Sequence, residues 1–395
     1  MTIQAVERGL DFYQLDALLT PEERDVRERV RSFCDEEVLP VINRYWERAE
    51  FPFELVPKLA ALNLTGGVIK GYGCPGLSAV AVGIATAELS RGDGSLETFL
   101  GVTSGLAMGS IYHCGSEEQK QHWLPAMARM EKIGAFGLTE PFVGSDASHI
   151  RTTATRVGDR YVLNGAKRWI GNASFADVVV IWAQDSETGK VGGFLVEKGT
   201  PGFAATVIEG KIAKRSVLNA DITLSNCEIA EANRLPNARS FRDTAVVLKN
   251  TRYGVAWEAV GHAMAAFEIA REYTLKREQF GKPIASYQLV QQKLVQMLGD
   301  VTAMQFMCWR LCRLLDEDAN QVTEGMASLA KQHCAARARQ VVALGRELLG
   351  GNGILLENHL ARHFADMEAV YTYEGTNEIN TLVVGREITG IAAFV

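Results

Sequence analysis

The chain has 395 residues, with 41 Lys and Arg against 47 Asp and Glu, for a formal net charge of −6. A hydrophobic share of 47% and a charged share of 22% are globular proportions, which exclude long disorder and fibrous architecture and predict two or three structural units. The mild acidity lacks the basic footprint of a nucleic-acid binder and gives no attraction to an anionic membrane surface.

The seven cysteines (Cys34, Cys74, Cys114, Cys227, Cys308, Cys312 and Cys334) are odd in number and widely spaced, with no CxxC pair. They read as reduced thiols of a cytosolic protein. The first residues carry no basic stretch followed by an apolar core, so no signal peptide is expected, and the final AAFV is no peroxisomal tripeptide.

From Thr20 to about Met130 the periodicity is helical. Thr20-Pro21-Glu22-Glu23 is a helix start, with an N-cap, Pro at the first position and acids in the first turn. Pro52 to Leu62 predicts a short helix. Leu77–Ser90 and Thr98–Ile111 are apolar on most sides and predict buried helices. The uncharged run from Thr98 to Ser116 holds too many Gly, Ser and Thr residues for a membrane span. A further helix starts at Ser116.

From Gly134 to about Ile229, short runs rich in Val, Ile, Phe and Thr alternate with turn residues. Gly134–Thr139, Arg151–Arg156, Arg160–Leu163, Asp177–Ala183, Gly193–Val196, Ala204–Val207 and Ile222–Leu224 predict strands of a compact antiparallel sheet or barrel. Turns are expected at Gly158-Asp159, Asn164-Gly165 and Gly202. Beyond Phe241 the helices are long: Thr244–Lys276, Tyr287–Glu317 and Thr323–Leu349. Apolar residues on more than one face predict a four-helix bundle with further surface for subunit contacts. The layout divides as 1–133 helical, 134–240 β and 241–395 bundle, an α+β chain.

Gly71 to Gly76 matches GxGxxG, but Pro75 interrupts it and no βα units surround it, so a helix connector is expected. His359 and His363 stand four apart without the glutamate of HExxH and read as ordinary helix residues. Cys308 and Cys312 read as core thiols. Four segments carry more. Leu138-Thr-Glu-Pro-Phe-Val-Gly-Ser-Asp146 is a polar turn able to offer N–H groups and hydroxyls. Lys167-Arg-Trp-Ile-Gly-Asn172 sets an aromatic wall beside Gly and Asn. Leu349-Gly-Gly-Asn-Gly353 permits close approach to backbone. Tyr373-Glu-Gly-Thr-Asn-Glu378 places a carboxylate on a glycine loop before a helix reaching about Thr389.

Taken together with KREQFGKPI, these segments resemble the acyl-CoA dehydrogenase superfamily in order and spacing, from about Asp16 to Phe394. The glutaryl-CoA dehydrogenase and plant short-chain acyl-CoA oxidase branches are the most similar. The resemblance implies an N-terminal α domain, a middle antiparallel β domain, a C-terminal four-helix bundle, one FAD per subunit and a homotetramer. It also implies the removal of two hydrogens from an acyl-CoA to give a trans-2-enoyl-CoA. Glu374 matches the base that takes the α proton while the β hydride passes to flavin N5. That chemistry needs a carboxylate made more basic by desolvation, and donors at the thioester oxygen.

By the same resemblance, Phe136, Leu138 and Thr139 match the strand at the flavin edge, and Trp169, Ile170 and Gly171 the wall beside its ring. Arg277, Gln279, Phe280 and Gln288 match the segment that reaches the FAD of a neighbouring subunit. Glu347, Leu348, Gly350 and Gly351 match the loop at its adenine end. Thr376 and Glu378 match contacts to its diphosphate and ribose. Ser145, Asn250, Thr251 and Arg252 match contacts to the CoA arm, Arg252 to a polar part of the pantetheine, and Gly375 leaves room for the thioester.

Two departures set expectations. Glu97, followed by Thr98, stands where glutaryl-CoA dehydrogenases carry an arginine for the distal carboxylate; a carboxylate there repels a dicarboxylyl chain, so an uncharged short acyl group is expected. Gly171 replaces the Thr or Ser common after Trp-Ile, as in the plant oxidases. Electron-transfer flavoprotein is the expected acceptor and O2 the alternative.

Overall fold

The structure is a computed structural model that describes residues 9–393. Helix α1 (Pro21–Phe33) begins at the expected N-cap: Glu23 N donates to Thr20 Oγ1 at 3.2 Å while Thr20 N donates to Glu23 Oε2 at 2.8 Å. A π-helical turn at Cys34–Val38 leads into α2 (Leu39–Arg48), followed by α3 (Val56–Ala61). Then come α4 (Ala79–Gly92), buried as its all-round apolarity predicts, and α5 (Gly94–Gly101); the single buried helix expected over Thr98–Ile111 is instead divided, and most of 101–106 is half-buried. A second π-helical stretch, Val102–Met108, joins α5 to α6 (Gly109–Cys114), and α7 (Glu117–Ala128) closes the helical part. Gly71–Gly76 lies in the connector before α4, preceded by helices rather than a strand. Among the described residues no helix is long and apolar enough to cross a membrane.

The middle sheet holds β1 (Gly134–Gly137), β2 (Thr153–Val157), β3 (Arg160–Gly171), β4 (Val178–Asp185), β5 (Val191–Glu197), β6 (Phe203–Val207) and β7 (Asn219–Ala230). Its order is β1-β4-β2-β3-β7-β6, with β5 also on β4. Most pairings are antiparallel as expected, but β4 runs parallel to both β1 and β2, so the sheet is mixed. The turn expected at Asn164-Gly165 is instead an irregularity inside β3, with a register shift against β7 between Leu163 and Gly165. Gly165 has φ 148, and a Cβ there would stand 2.7 Å from Thr152 Cα, so the close crossing of β2 is what demands glycine. A second shift, between Lys167 and Ile170, swings Trp169 out at φ 68.

The C-terminal part is helical: α8 (Phe241–Lys276), a hairpin of β8 (Glu278–Gln279) and β9 (Lys282–Pro283), then α9 (Gln288–Asp318), α10 (Glu324–Leu348), α11 (Leu360–Thr372) and α12 (Asn377–Thr389). Helices α8 to α11 pack as a bundle around Ala259, Ala263, Met304, Cys334 and Ala338, and α12 lies on α10. Cys308 and Cys312 are core thiols here. The first helical part is docked onto this bundle by two close contacts between α4 and α8. A Cβ on Gly83 would overlap the Trp257 indole, and one on Gly261 would overlap the Ala87 carbonyl. A buried ion pair adds direction, Arg362 Nη1 to Asp93 Oδ2 at 2.6 Å, and Lys214, from the segment between β6 and β7, ties the middle part in through Gly94 O at 2.8 Å.

Candidate active site

The loop between α11 and α12 carries Glu374 in the left-handed region, at φ 53, followed by Gly375 at φ 86. A residue with a side chain is held there only when its surroundings over-determine it. Thr376 then caps α12, its Oγ1 accepting from Ile379 N at 3.2 Å. From α8, Thr251 Oγ1 donates to Glu374 Oε2 at 2.9 Å. Burial pushes the Glu374 carboxyl above its usual range; the Thr251 hydrogen bond and the charges of Arg252 and Lys331 pull it back, and Glu258 pushes it further up. The outcome is a half-buried carboxylate of enhanced basicity on a fixed loop.

Beside it lies a buried polar group of residues. Tyr373 OH donates to Glu258 Oε2 at 2.6 Å, and Lys214 pairs with Glu258 Oε1. Although burial works against its charge, Lys214 is held above its ordinary pKa by Glu258, Asp366 and Glu97. Glu97 is pushed well above the carboxylate range by burial and by its neighbour Glu258, so its acid form is favoured.

The strand wall is tied together by another buried pair. Lys167 Nζ on β3 donates to Glu140 Oε1 at 2.8 Å and to Leu138 O at 3.0 Å. Glu140 also accepts from Arg151 N, Thr152 N and Thr152 Oγ1 at 2.7, 2.9 and 2.6 Å. Burial draws the Lys167 ammonium down to about 8 against the pull of Glu140. The pair fixes the polar turn after β1 against the strand that presents Trp169. The indole is 51% exposed, with the Arg168 guanidinium 5.0 Å from its centroid. Phe136, Leu138 and Ile170 are themselves buried in the cores, so Thr139, half-buried, is the side chain of that strand left near the surface. Ser145 is exposed on the same turn, and Gly171 is buried against Val102.

Arg277, Gln279, Phe280 and Gln288 cluster at the far end of α8. The 26 residues of helix from Thr251 to Arg277 span about 39 Å. Phe280 at φ 54 and Gly281 at φ 79 make the two-residue turn of the β8–β9 hairpin, and Phe280 is 95% exposed. This cluster cannot share a small ligand with Glu374 of its own chain. Glu347 pairs with Lys293 Nζ at 2.6 Å, Leu348 is buried, and Gly350 and Gly351 are open to solvent. Thr376 and exposed Glu378 sit at the N-terminus of α12, where backbone polarity favours an anion.

Comparison with known proteins decides the family. The acyl-CoA dehydrogenase N-terminal, middle and C-terminal domain descriptions match residues 20–131, 135–227 and 241–389. The chain belongs to the acyl-CoA dehydrogenase family. An acyl-CoA dehydrogenase of Bacillus subtilis is 33% identical over 377 residues, covering 94% of this chain and 99% of that protein. A glutaryl-CoA dehydrogenase of Mycobacterium smegmatis in complex with FADH2 superposes with a TM-score of 0.96 at 38% identity, covering 99% of this chain and 100% of that one. Butyryl-CoA dehydrogenase of Megasphaera elsdenii gives 0.90 at 30% identity, over 94% and 98%.

Against the acyl-CoA dehydrogenase pattern, two expectations change. Arg252, expected on the CoA arm, turns into the bundle: its Nη1 donates to Glu324 Oε1 at 2.9 Å and Ser328 Oγ at 3.3 Å, and the residue is buried. Its Nη1 is thus engaged while its buried Nε has no partner, and its charge bears on Glu374. Glu97 is buried beside Glu258 and Lys214, so it stands in a group of opposed charges and not alone. Asn250 Nδ2, one residue before Thr251 on α8, contacts His113 Nε2 at 3.2 Å. Lys331, Glu258, Lys214 and Glu140 were not anticipated. A single lysine or glutamate inside an amphipathic run carries no local signal that it is buried, and only the start of KRW hinted at Lys167.

Proposed function

We propose that this protein dehydrogenates an uncharged short-chain acyl-CoA thioester to the trans-2-enoyl-CoA, with Glu374 as the base and FAD as the cofactor. The observation that carries this reading is the Glu374 carboxyl, desolvated, fixed on a left-handed loop and hydrogen-bonded by Thr251. The residues present fit FAD: the half-exposed indole of Trp169 for a flat ring, the open surface of Gly350 and Gly351, and the N-terminus of α12 for a diphosphate. When bound, FAD supplies the two-electron acceptor for the β hydride.

The chain's own residues do the rest. Glu374 takes the α proton onto a carboxylate oxygen, and burial raises its basicity toward that of the activated carbon. Gly375, at φ 86 with Asn380 Nδ2 2.9 Å from where a Cβ would stand, lets the loop turn directly after the base. Arg277, Gln279, Phe280 and Gln288, too distant from their own Glu374, serve the cofactor of a neighbouring subunit, which makes a homotetramer the fitting assembly. We propose the three-part division at residues 133 and 240, a cytosolic place in fatty-acid β-oxidation and electron-transfer flavoprotein as acceptor. A second reading, oxidase activity with O2, is favoured by Gly171, which brings no hydroxyl to the wall beside Trp169. Anaerobic reduction followed by air separates the two: reoxidation within one turnover with stoichiometric peroxide establishes the oxidase.

Glu97 and Glu258 favour an uncharged acyl group, since the ammonium at hand, Lys214, is already paired with Glu258. Glu374→Gln tests the central claim. The variant should keep its yellow colour and its affinity for butyryl-CoA while bleaching by substrate slows about 10²–10⁴-fold. Bleaching at the unmodified rate would remove Glu374 as the base.

A further inference from the structure

Lys331 lies in the second turn of α10 with its side chain buried, and nothing in the reaction so far uses it. Burying an ammonium is costly unless something specific receives it. Here the receivers are not carboxylates. Lys331 Nζ donates to Gly375 O at 2.8 Å and to Tyr371 O at 3.1 Å, two carbonyls that bracket Glu374. Gly375 O takes a second donor, Asn380 Nδ2 at 2.8 Å, from the first turns of α12. On the other side the loop is held through Tyr373 OH on Glu258. The backbone at Glu374 is in an unfavourable left-handed conformation and needs such bracing.

We propose that Lys331 is a positioning residue for the base: it clamps the carbonyls on either side of Glu374, holding the left-handed loop, and places a fixed positive charge behind the carboxylate. The inference rests on Glu374 being the base.

The charged groups around this point come from several elements. Facing Lys331 are Glu374 on the loop, Glu258 and Arg252 on α8, and Glu378 on α12. Burial draws Lys331 down to about 8, with Glu374 and Glu258 opposing, so it is mostly charged at neutral pH. Facing Glu374 are Thr251, Arg252 and Lys331, which lower its pKa, and Glu258, which raises it. Removing the Lys331 charge therefore raises Glu374 further, and the carboxylate needed for proton abstraction appears only at higher pH.

The test uses the flavin-loaded enzyme with butyryl-CoA under anaerobic single-turnover conditions, read as the rate of flavin bleaching across pH 6 to 9. Lys331→Met removes both clamp and charge; Lys331→Gln keeps a donor without the charge. Both should retain flavin and bind butyryl-CoA within about threefold of the parent. Lys331→Met should bleach at least about tenfold more slowly at pH 7, with the rising limb moved up by about one pH unit. Lys331→Gln should share the pH shift and recover part of the rate. An unshifted profile in both variants, or loss of flavin and of butyryl-CoA binding together in both, would overturn the proposal. Glu374→Gln run in parallel separates the two readings. If it bleaches normally, the base is misassigned; if it is inert while Lys331→Met is unaffected, only the role of Lys331 falls.

Discussion

Thr251 and Glu374, 123 residues apart in the chain, meet through a 2.9 Å hydrogen bond from the hydroxyl of one to a carboxylate oxygen of the other. One residue sits on the helix that opens the bundle and the other on the loop before its last helix. The contact therefore forms only when the whole C-terminal part is folded. It also tunes the base, because a donor to the carboxylate stabilises the ionised form.

Thr251→Val removes that donor at nearly constant volume. The Glu374 pKa, already raised by burial, should rise further once the hydroxyl that stabilises the carboxylate is gone. Less of the enzyme then carries the carboxylate at neutral pH, so the rising limb of the bleaching rate against pH should move upward while the rate at pH 9 stays close to the parent. A pH series of substrate bleaching measures it; a limb displaced downward contradicts the assigned hydrogen bond.

The Lys167–Glu140 pair predicts an asymmetry. Lys167→Met leaves Glu140 with donors from Arg151 N, Thr152 N and Thr152 Oγ1. Glu140→Leu leaves a buried ammonium with one carbonyl and strands the Arg151 and Thr152 backbone donors, while Thr152 Oγ1 keeps Ala166 O at 3.3 Å. Breaking a buried pair costs about 3–5 kcal/mol. Lys167→Met should lie at the low end and Glu140→Leu at or beyond the high end. Thermal or urea unfolding of the two variants gives the order directly, and equal losses would count against this account.

Gly351 offers a way to find a ligand without seeing one. A Cβ there would meet nothing within 4 Å in the chain. Gly351→Ala should therefore leave the unfolding temperature of the flavin-free protein within about 2 °C of the parent. Flavin content after gel filtration should fall if the open surface holds the adenine end of FAD. Unchanged flavin retention would move the adenine site elsewhere.

Acyl selection follows from Glu97 and Glu258. Lys214, the ammonium that acts on Glu97, is already engaged by Glu258 and offers a distal carboxylate on the substrate no free charge. Butyryl-CoA should be turned over at least about tenfold faster than glutaryl-CoA, the penalty of an unpaired buried charge being well above 1.4 kcal/mol. Equal kcat/KM for the two substrates would show that the polar floor does not reach the acyl group.

The helices were the most legible part of the sequence. Thr20 and Glu23 form the capping box that their spacing announces, and the long runs of the bundle end within a few residues of where their periodicity ends. Strand ends were harder. Asn164-Gly165 reads locally as a turn, yet β2 crosses so closely at Thr152 that the glycine serves a bulge and the strand continues. Parallel pairing of β4 with β1 and β2 has no local signature, since it depends on chain segments 44 and about 30 residues apart. The base was legible through the YEGT motif. The cations around it were not, because burial of Lys331 or Lys214 depends on which helices face them. Arg252 shows the same limit in reverse: its position in the motif pointed to a ligand, while Glu324 and Ser328, more than 70 residues further on, take up its guanidinium.

The close contacts of Gly83 with Trp257 and of Gly261 with Ala87 carry one more consequence. With backbone against backbone at one crossing and against an indole at the other, α4 and α8 have no slack to slide or spread, because interiors packed this tightly do not deform continuously. The first helical part and the bundle are thereby keyed together along this crossing, so any loosening between them has to begin at another contact, and a bulkier residue at position 83 or 261 would unseat the whole joint instead of being absorbed locally.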